Sequence, residues 1–354
     1  YQQLFWGHFA ARRPREGKMK KLRKRVFMAA GYNTISLGSG RKEFNPKKPR
    51  PGLEEYIKEA GQGTLKLVGG AANIDEGVIG NFMASKFNNQ GNLAALIPFI
   101  DEGLKWKPSC RVEGACCSGG LALVTAIKSV LAETAEAVLA MGVEVQNTVK
   151  AVYGADILAG AGWYKERKTG HAYFFPGKFS DRAGDYFKKF GLERTRKGMA
   201  RWYRNAIENA RLVPTAQEHQ NTQEDLEAAA MCKPNPRSFV EHLTVYDCSK
   251  VSDGAASIAV MSEEGLAKAG IAKKDAIEVL GFGQVEADLT ASPADLARLD
   301  TTAEAVKRAL AAAGIGPEEL GTVECHDCFT ITGILSVEAI GLAKQGEGAD
   351  FVSA

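Results

Sequence analysis

The stretch VEGACC at residues 112–117 recurs as VECHDC at residues 323–328, with valine, glutamate and a final cysteine at the same spacing. An amphipathic helical pattern follows each copy, over residues 121–132 and 333–343. Each copy is also preceded by a predicted helix and a loop that carries proline. We interpret the pattern as an ancient duplication whose halves each place one cysteine where a strand meets a helix.

The segments around these motifs alternate between strand and helix patterns, which predicts an α/β fold. The predicted strands cover residues 26–32, 77–82, 112–117, 137–145, 252–261, 277–285 and 322–328. The predicted helices cover residues 53–60, 92–103, 121–132, 302–313 and 333–343.

Four parts follow from this pattern along the chain. Residues 155–242 are polar and rich in Lys, Arg and aromatic side chains, which predicts an inserted and largely helical loop domain. The expected parts are a basic arm at 1–25, an N-terminal half at 26–154, the loop domain at 155–242 and a C-terminal half at 243–354, incomplete at its end.

Composition limits the class of protein. The 354 residues are 45% hydrophobic and 25% charged, enough to bury a substantial core. No apolar run approaches the roughly 20 residues of a membrane span, so we expect no integral membrane segment. The net charge of +3 does not by itself indicate a nucleic-acid partner. An odd number of cysteines, seven, favours reduced thiols in an intracellular compartment.

The N-terminal arm is strongly basic over residues 12–25 and aromatic before that, at Phe5, Trp6 and Phe9. Such an arm is typical of organelle targeting, of a patch for nucleic acid or another anionic surface, or of a solvated segment that packs on the domain or a partner subunit. The first residue is not Met and the last lies in a polar loop, so we expect both ends to be edges of a fragment.

Cys117 is the first candidate nucleophile. A thiol at the start of a helix gains from unpaired backbone N–H groups and the helix dipole, which stabilise its thiolate. Gly119 and Gly120 leave room for a bulky acyl group, so we expect them to contact substrate. Cys116 is the competitor, although strand alternation would point it to the opposite face. Two small buried hydrophobic residues at a tight turn remain the structural alternative.

In the second copy, strand alternation would place His326 and Cys328 on one face and Cys325 on the other. A hydrogen-bond donor and a proton carrier would then emerge side by side. Zinc is the alternative for this Cys-His-x-Cys pattern, but no second CxxC or HxxxH completes four ligands, so we predict no metal.

These residues carry a resemblance to the thiolases, most closely the sterol-carrier-protein type that has an HDCF motif, here residues 326–329. Further matches are GACCSGG at 114–120, AVLAMGVE at 137–144, CSKVSDGAASIAVMSEEGLA at 248–267 and EVLGFGQ at 278–284. The resemblance covers residues 26–354, more loosely in the loop domain. It implies the thiolase fold, five αβαβα layers built from two related halves.

The resemblance also implies a division of roles. Cys117 would be acylated by an acyl-CoA, Cys328 would act as acid and base on the α-carbon, and His326 would help to hold the enolate oxygen in an oxyanion hole. Ser249 matches a serine that contacts the pantetheine arm. Coenzyme A thioesters would be substrates, with no metal or redox cofactor. We also expect a homodimer, possibly a tetramer, in a peroxisome-type organelle, glycosomes included, or in a mitochondrion.

The sequence departs from the family in two respects. It contains neither the Gly-His-Pro segment that supplies a second histidine to the oxyanion holes of thiolases nor the cysteine-bearing or glycine-rich turn that completes them. The chain stops at GEGADFVSA, residues 346–354, so we expect a truncation before that segment. Two alternatives stay open, a thiolase-like protein that binds acyl-CoA or lipid without turnover, and a ketoacyl synthase.

Basic side chains of the loop domain could meet the phosphates of coenzyme A, although we expect only one or two to do so. The candidates are Lys165, Arg167, Lys168, Lys178, Arg182, Lys188, Lys189, Arg194, Arg196, Lys197 and Arg201.

Overall fold

The computed structural model describes residues 22–166 and 173–354. Most of the N-terminal arm, together with Arg167 and Lys168, lies outside the described residues. The strands are β1 (Phe27–Asn33), β2 (Leu37–Gly38), β3 (Glu76–Gly80), β4 (Ser109–Val112), β5 (Ala137–Glu144), β6 (Ser252–Met261) and β7 (Ile277–Glu278). The α-helices are α1 (Leu53–Leu67), α2 (Ala84–Phe87), α3 (Ile97–Ile100), α4 (Ser118–Leu131), α5 (Ala151–Leu158), α6 (Phe174–Phe190), α7 (Leu192–Leu212), α8 (Leu226–Ala230), α9 (Glu263–Ala269), α10 (Asp300–Ala313), α11 (Thr330–Ile340) and α12 (Gly348–Ser353).

Within the described residues, seven strands form one mixed sheet in the order β4-β3-β5-β6-β1-β7, with β2 paired to β6. Strands β4, β3 and β5 are parallel, whereas β6 runs antiparallel to both β5 and β1. Strand β5 lies at the centre, and its sequence AVLAMGVE is buried on both faces over most of its length. A continuous apolar run of this kind is typical of a strand covered by helices on both sides.

Helices α1 and α4 cover the two faces of this sheet. Helix α1 buries Leu53, Tyr56, Ile57 and Ala60, whose spacing makes one apolar stripe along the helix. Helix α4 buries Ala122, Ala126, Ile127 and Val130 against the other face, where they join a core with Val78 and Val138. The sheet therefore has a separate hydrophobic core on each side.

Several strand predictions agree with the structure, but three do not. The strand predicted for 112–117 is wrong, since β4 ends at Val112 and Ala115 has φ +50°, which no strand residue adopts. Of residues 277–285, only Ile277–Glu278 is a strand, and Gly281 and Gly283 pack against the backbone of α10 instead. Residues 322–327 are also without regular secondary structure.

The loop-domain region, residues 155–242, is occupied mainly by α6, α7 and α8. Helices α6, α7, α11 and α12 share a third hydrophobic core, away from the sheet, centred on Tyr186, Met199, Ile331 and Ile334. Strands β6 and β7 complete the first sheet, so this sheet includes residues that the prediction assigned to the C-terminal half. No helix of the described chain is long and apolar enough to cross a lipid bilayer.

Candidate active site

The two adjacent cysteines lie in a 3₁₀ turn, Ala115–Cys117, between β4 and α4. The turn is closed by Ser118, whose Oγ donates to the carbonyl of Ala115 at 2.7 Å and accepts from the N–H of Gly114 at 3.1 Å. Ala115 is left-handed, a conformation that costs a residue with a Cβ about 1–2 kcal/mol. Strain of this kind persists where the surrounding structure enforces it, and it is common at functional sites.

Two glycines let this turn and the start of α4 rest directly on the sheet. A Cβ at Gly80, the last residue of β3, would lie 2.2 Å from the carbonyl oxygen of Ser118. A Cβ at Gly142 of β5 would lie 3.4 Å from the Cα of Gly119. The turn therefore sits at the carboxyl ends of the parallel strands, where α/β sheets commonly bind ligands.

Cys117 is the residue immediately before α4 and is exposed. Its Sγ lies 3.2 Å from the position that a Cβ on Gly120 would take, whereas a Cβ on Gly119 would meet nothing within 4 Å. A side chain at Gly120 would thus crowd the Cys117 sulfur, while the surface over Gly119 is open.

Cys116 is the second thiol of the turn and is also exposed as a residue. Partial burial of its thiol raises the pKa, and the charges of Glu144 and Cys117 raise it further. The expectation that Cys116 points away from the site rested on strand alternation, and that premise is wrong because the residue lies in a 3₁₀ turn.

Glu144 ends β5 beside this turn and was not singled out from the sequence. Its carboxylate accepts from the N–H groups of Phe82 at 2.9 Å and Met83 at 3.1 Å. Burial raises its pKa, although these bonds oppose the shift. The sequence did contain a signal that could have identified Glu144, because an acidic residue ends an otherwise apolar strand.

Cys328 comes from the other copy of the repeated motif and lies just before α11. Burial raises the pKa of its thiol to about 12, and the charge of Cys116 is the next cause. The two thiols are therefore within electrostatic range although they are 212 positions apart in sequence, 328 minus 116. The interaction connects Cys328 with Cys116, the neighbour of the predicted Cys117.

The rest of the HDCF motif is distributed around Cys328. His326 is exposed, and Asp327 accepts a 2.7 Å hydrogen bond from the indole N–H of Trp202. The ring of Phe329 stacks on Phe179 of α6 with 4.5 Å between centroids. The motif is thus attached to the helices of the loop-domain region.

Ser249 lies next to this motif, as its backbone N–H donates to the carbonyl of Cys328 at 2.9 Å. Its neighbour Cys248 pairs with Phe329 in an isolated β-bridge. Burial raises the pKa of Cys248 to about 12, with further contributions from the charges of Asp247 and Cys328. Sequence reasoning missed Cys248 because it lies outside both copies of the motif.

Most of the basic candidates that the structure describes are engaged within the protein. Arg196 is buried against Asp247, Arg194 pairs with Asp350, and Arg201 pairs with Glu227. Arg182 donates to the carbonyls of Leu296 and Arg298. Among the described residues, no three or more His, Cys, Asp or Glu side chains are arranged to hold a metal ion.

Comparison with known proteins supports one family. A family model described as "Thiolase C-terminal domain-like" matches residues 283–354. An acetyl-CoA acetyltransferase of Methanothermobacter thermautotrophicus is 31% identical over 301 residues, which cover 84% of this chain and 74% of the relative. Sterol carrier protein 2 of Rattus norvegicus is 26% identical over 265 residues, 71% of this chain and 46% of that protein.

The structural comparison agrees with the predicted fold class. Human mitochondrial 3-ketoacyl-CoA thiolase, solved in complex with CoA, superposes with a TM-score of 0.64 at 16% identity, covering 92% of this chain and 85% of the other. The α/β thiolase fold predicted from the sequence is therefore confirmed. Together with the archaeal relative, the HDCF motif and the match to sterol carrier protein 2, it follows that the chain belongs to the thiolase superfamily of acyl-transferring enzymes, with sterol-carrier-protein-type character.

Proposed function

We propose that this chain catalyses thiolytic cleavage of a 3-ketoacyl-CoA, and the reverse Claisen condensation of an acyl-CoA with acetyl-CoA, through an acyl-enzyme. The observation that carries the proposal is that Cys116 and Cys328, from the two copies of the repeated motif, lie near enough for the charge of Cys116 to raise the pKa of Cys328. A thiolate attacks a thioester well, and the acyl-enzyme divides one difficult step into two easier ones.

The acylated residue is one of the two adjacent cysteines. The sequence favoured Cys117, whereas the electrostatic influence of Cys116 on the Cys328 thiol supports Cys116. In cleavage, the sulfur attacks the 3-keto carbon and the bond between C2 and C3 breaks. The electron pair of that bond passes to the departing thioester enolate, and the acyl group stays on the enzyme until coenzyme A accepts it.

Cys328 is the proposed source of the proton that the enolate takes up. Because burial raises the pKa of its thiol to about 12, this group is protonated at neutral pH and available as an acid. In condensation, Cys328 first gives its proton to the coenzyme A thiolate that leaves when the enzyme is acylated. The resulting Cys328 thiolate then removes the α-proton, and the enolate that forms needs stabilisation. Oxyanion donors each supply roughly 3–4 kcal/mol to such intermediates, and His326 is the proposed donor here.

Substrate contacts complete the proposal. The open surface over Gly119 and the position of Ser249 beside Cys328 support their assignment to acyl and pantetheine binding. Coenzyme A thioesters are then substrates, and the mechanism uses no metal or redox cofactor. A homodimer or tetramer, and residence in a peroxisome-type organelle or a mitochondrion, are proposed from the family resemblance alone.

Two matched variants, Cys116→Ser and Cys117→Ser, test the proposal. Incubation with acetyl-CoA followed by mass spectrometry of the intact protein measures acylation, and loss of acetoacetyl-CoA enolate absorbance with added CoA measures cleavage. We expect wild type and Cys117→Ser to gain the acyl mass and Cys116→Ser to lose both activities. The reverse pattern would assign the nucleophile to Cys117. A wild-type protein that binds CoA esters but is never acylated would favour the non-catalytic binding protein.

A further inference from the structure

The turn that carries Cys328 depends on contacts outside itself. Residues 322–327 form no strand, so no β-ladder fixes the backbone in front of this cysteine. The 2.9 Å bond from Ser249 N–H to the carbonyl of Cys328 holds it from one side. What holds the other side is the start of α11, where Thr330 is buried two residues after Cys328.

The hydroxyl of Thr330 belongs to a buried hydrogen-bond network centred on Asp247. One carboxylate oxygen, Oδ1, accepts from Thr330 Oγ1 at 2.7 Å. The other, Oδ2, accepts from Arg196 Nη1 at 2.8 Å and from the N–H and hydroxyl of Thr244 at 2.7 and 2.9 Å. Asp247 is 1% exposed, so these donors replace all of its hydration.

Arg196 connects the network to the helices of the loop-domain region. It lies in α7, is 7% exposed, and donates from Nη2 to the carbonyl of Ala230 at 2.6 Å. Its charge compensates that of Asp247, so the carboxylate keeps both oxygens as acceptors inside the protein. The Thr330 hydroxyl is thus aimed at an anion whose position is fixed by three other groups.

We propose that Asp247, acting through Thr330 and held by Arg196, is a positioning residue that sets the location of the Cys328 sulfur for proton transfer. The inference rests on the proposed function, because only the proposed proton transfer requires the Cys328 sulfur to lie at a particular place. Asp247 also begins the segment that leads to Ser249, so the two contacts on either side of Cys328 come from one short stretch of chain. The hydrogen bonds of Asp247 reach neither Cys116 nor Cys117, so the network acts on catalysis through the segments that carry Cys328 and Ser249.

Thr330→Val is the informative variant, because valine keeps the shape of threonine and removes the donor. Thr330→Ser keeps the hydroxyl and serves as the conservative rescue. Replacing Asp247 itself would leave the Arg196 guanidinium buried without its anion, so the variant could fail to fold. The control is Thr64→Val, which removes another fully buried hydroxyl, one that lies 2.7 Å from Ser257 Oγ on the far side of the sheet core.

Two measurements on the full chain separate positioning from stability. The first is exchange of the α-hydrogens of acetyl-CoA in D₂O, which needs Cys328. The second is the rate at which iodoacetamide alkylates Cys328, followed by mass spectrometry of the peptide, which needs no catalysis. For Thr330→Val we expect exchange roughly 10–100-fold slower, the size of effect that small misplacements of reacting groups produce. We expect alkylation of Cys328 to become several-fold faster, about 3–10-fold, as the freed thiol gains access to water and reagent.

Thr330→Ser and Thr64→Val should behave like wild type in both measurements. The inference would be overturned if Thr330→Val exchanged α-hydrogen and was alkylated at the wild-type rates. It would also be overturned if Thr64→Val showed the slower exchange and faster alkylation expected of Thr330→Val. If the wild-type chain exchanges no α-hydrogen, the proposed function fails, and the alkylation rates alone decide whether Asp247 and Thr330 hold Cys328. If Thr330→Val is then alkylated at the wild-type rate, the positioning role of Asp247 and Thr330 is rejected.

Discussion

At the scale of single residues, the thiols of Cys248 and Cys328 make stability depend on pH. Burial raises the pKa of both to about 12, well above the roughly 8.5 of a free cysteine. The native state therefore holds these protons after the unfolded chain has lost them. Their contribution to stability is complete below about pH 8.5 and is lost as the pH rises from there toward 12.

We predict that Cys248→Ala weakens this loss of stability at alkaline pH. Urea unfolding at pH 7.5 and pH 10 gives the change in free energy for each protein, and this change should be smaller in the variant than in wild type by about 2 kcal/mol. Cys232→Ala removes an exposed thiol, and its free energy of unfolding should fall between pH 7.5 and pH 10 as much as that of wild type. An equal pH response in all three proteins would contradict the assignment of a raised pKa to Cys248.

Residue patterns in the sequence were enough to find Cys328 but not to choose between Cys116 and Cys117. The repeated spacing located the second motif, because the similarity between the two copies can be recognised from the sequence alone. The choice between neighbours depended on backbone direction, and the left-handed Ala115 reverses that direction. Alanine seldom adopts this conformation, so nothing in its identity signals the turn. Asp247 was missed because two of its partners, Arg196 and Thr330, are 51 and 83 positions away in sequence.

At the scale of elements, the contact between β3 and α4 sets the place of the cysteine turn. We predict that Gly80→Ala lowers the free energy of unfolding by about 1–3 kcal/mol, because its Cβ would meet the Ser118 carbonyl and the helix must shift. Acylation by acetyl-CoA should also fall, since the turn moves with the helix. Gly91→Ala is the control, as a Cβ there meets nothing within 4 Å. Equal stability of the two variants in urea unfolding would argue against this contact.

The buried pair between α7 and the 244–247 turn gives a second prediction at this scale. Asp247→Asn should lower the free energy of unfolding by about 3–5 kcal/mol, because it leaves the Arg196 guanidinium buried without a counter-charge. Glu227→Gln removes a carboxylate from the more exposed Arg201 and should cost about 1 kcal/mol or less. Both values come from chemical unfolding at pH 7.5, and equal losses would show that burial does not decide the energy of these pairs.

The central elements were the most predictable ones. Strand β5 has a long apolar run and lies within one residue of its predicted bounds. Helix α4 has a clear helical period, begins three residues before its predicted start and ends one residue before its predicted end. Helix α1 begins where predicted but extends seven residues further, to Leu67, through a segment whose glycines conceal the helical pattern. Residues 322–327 alternate like a strand, but alternation alone does not supply a neighbouring strand with which to pair.

At the scale of the whole molecule, the expected assembly is a homodimer. Strand β4 is at one edge of the sheet and leads directly into the cysteine turn, so a partner paired there would lie close to the site. We predict that sedimentation equilibrium of this chain gives a mass about twice 38.0 kDa. A mass that stays at the monomer value across micromolar concentrations would contradict the dimer.

The strand order also has a consequence for synthesis on the ribosome. Strand β1 is made early but pairs only with β6 and β7 among the described strands, more than 200 residues later. Until residues 252–261 leave the exit tunnel, both long edges of β1 and one edge of β5 lack their native partners. Pairings so distant along the chain form slowly, and unpaired edges invite association between nascent chains. We therefore expect the nascent chain to be prone to association for most of translation, however stable the finished enzyme is.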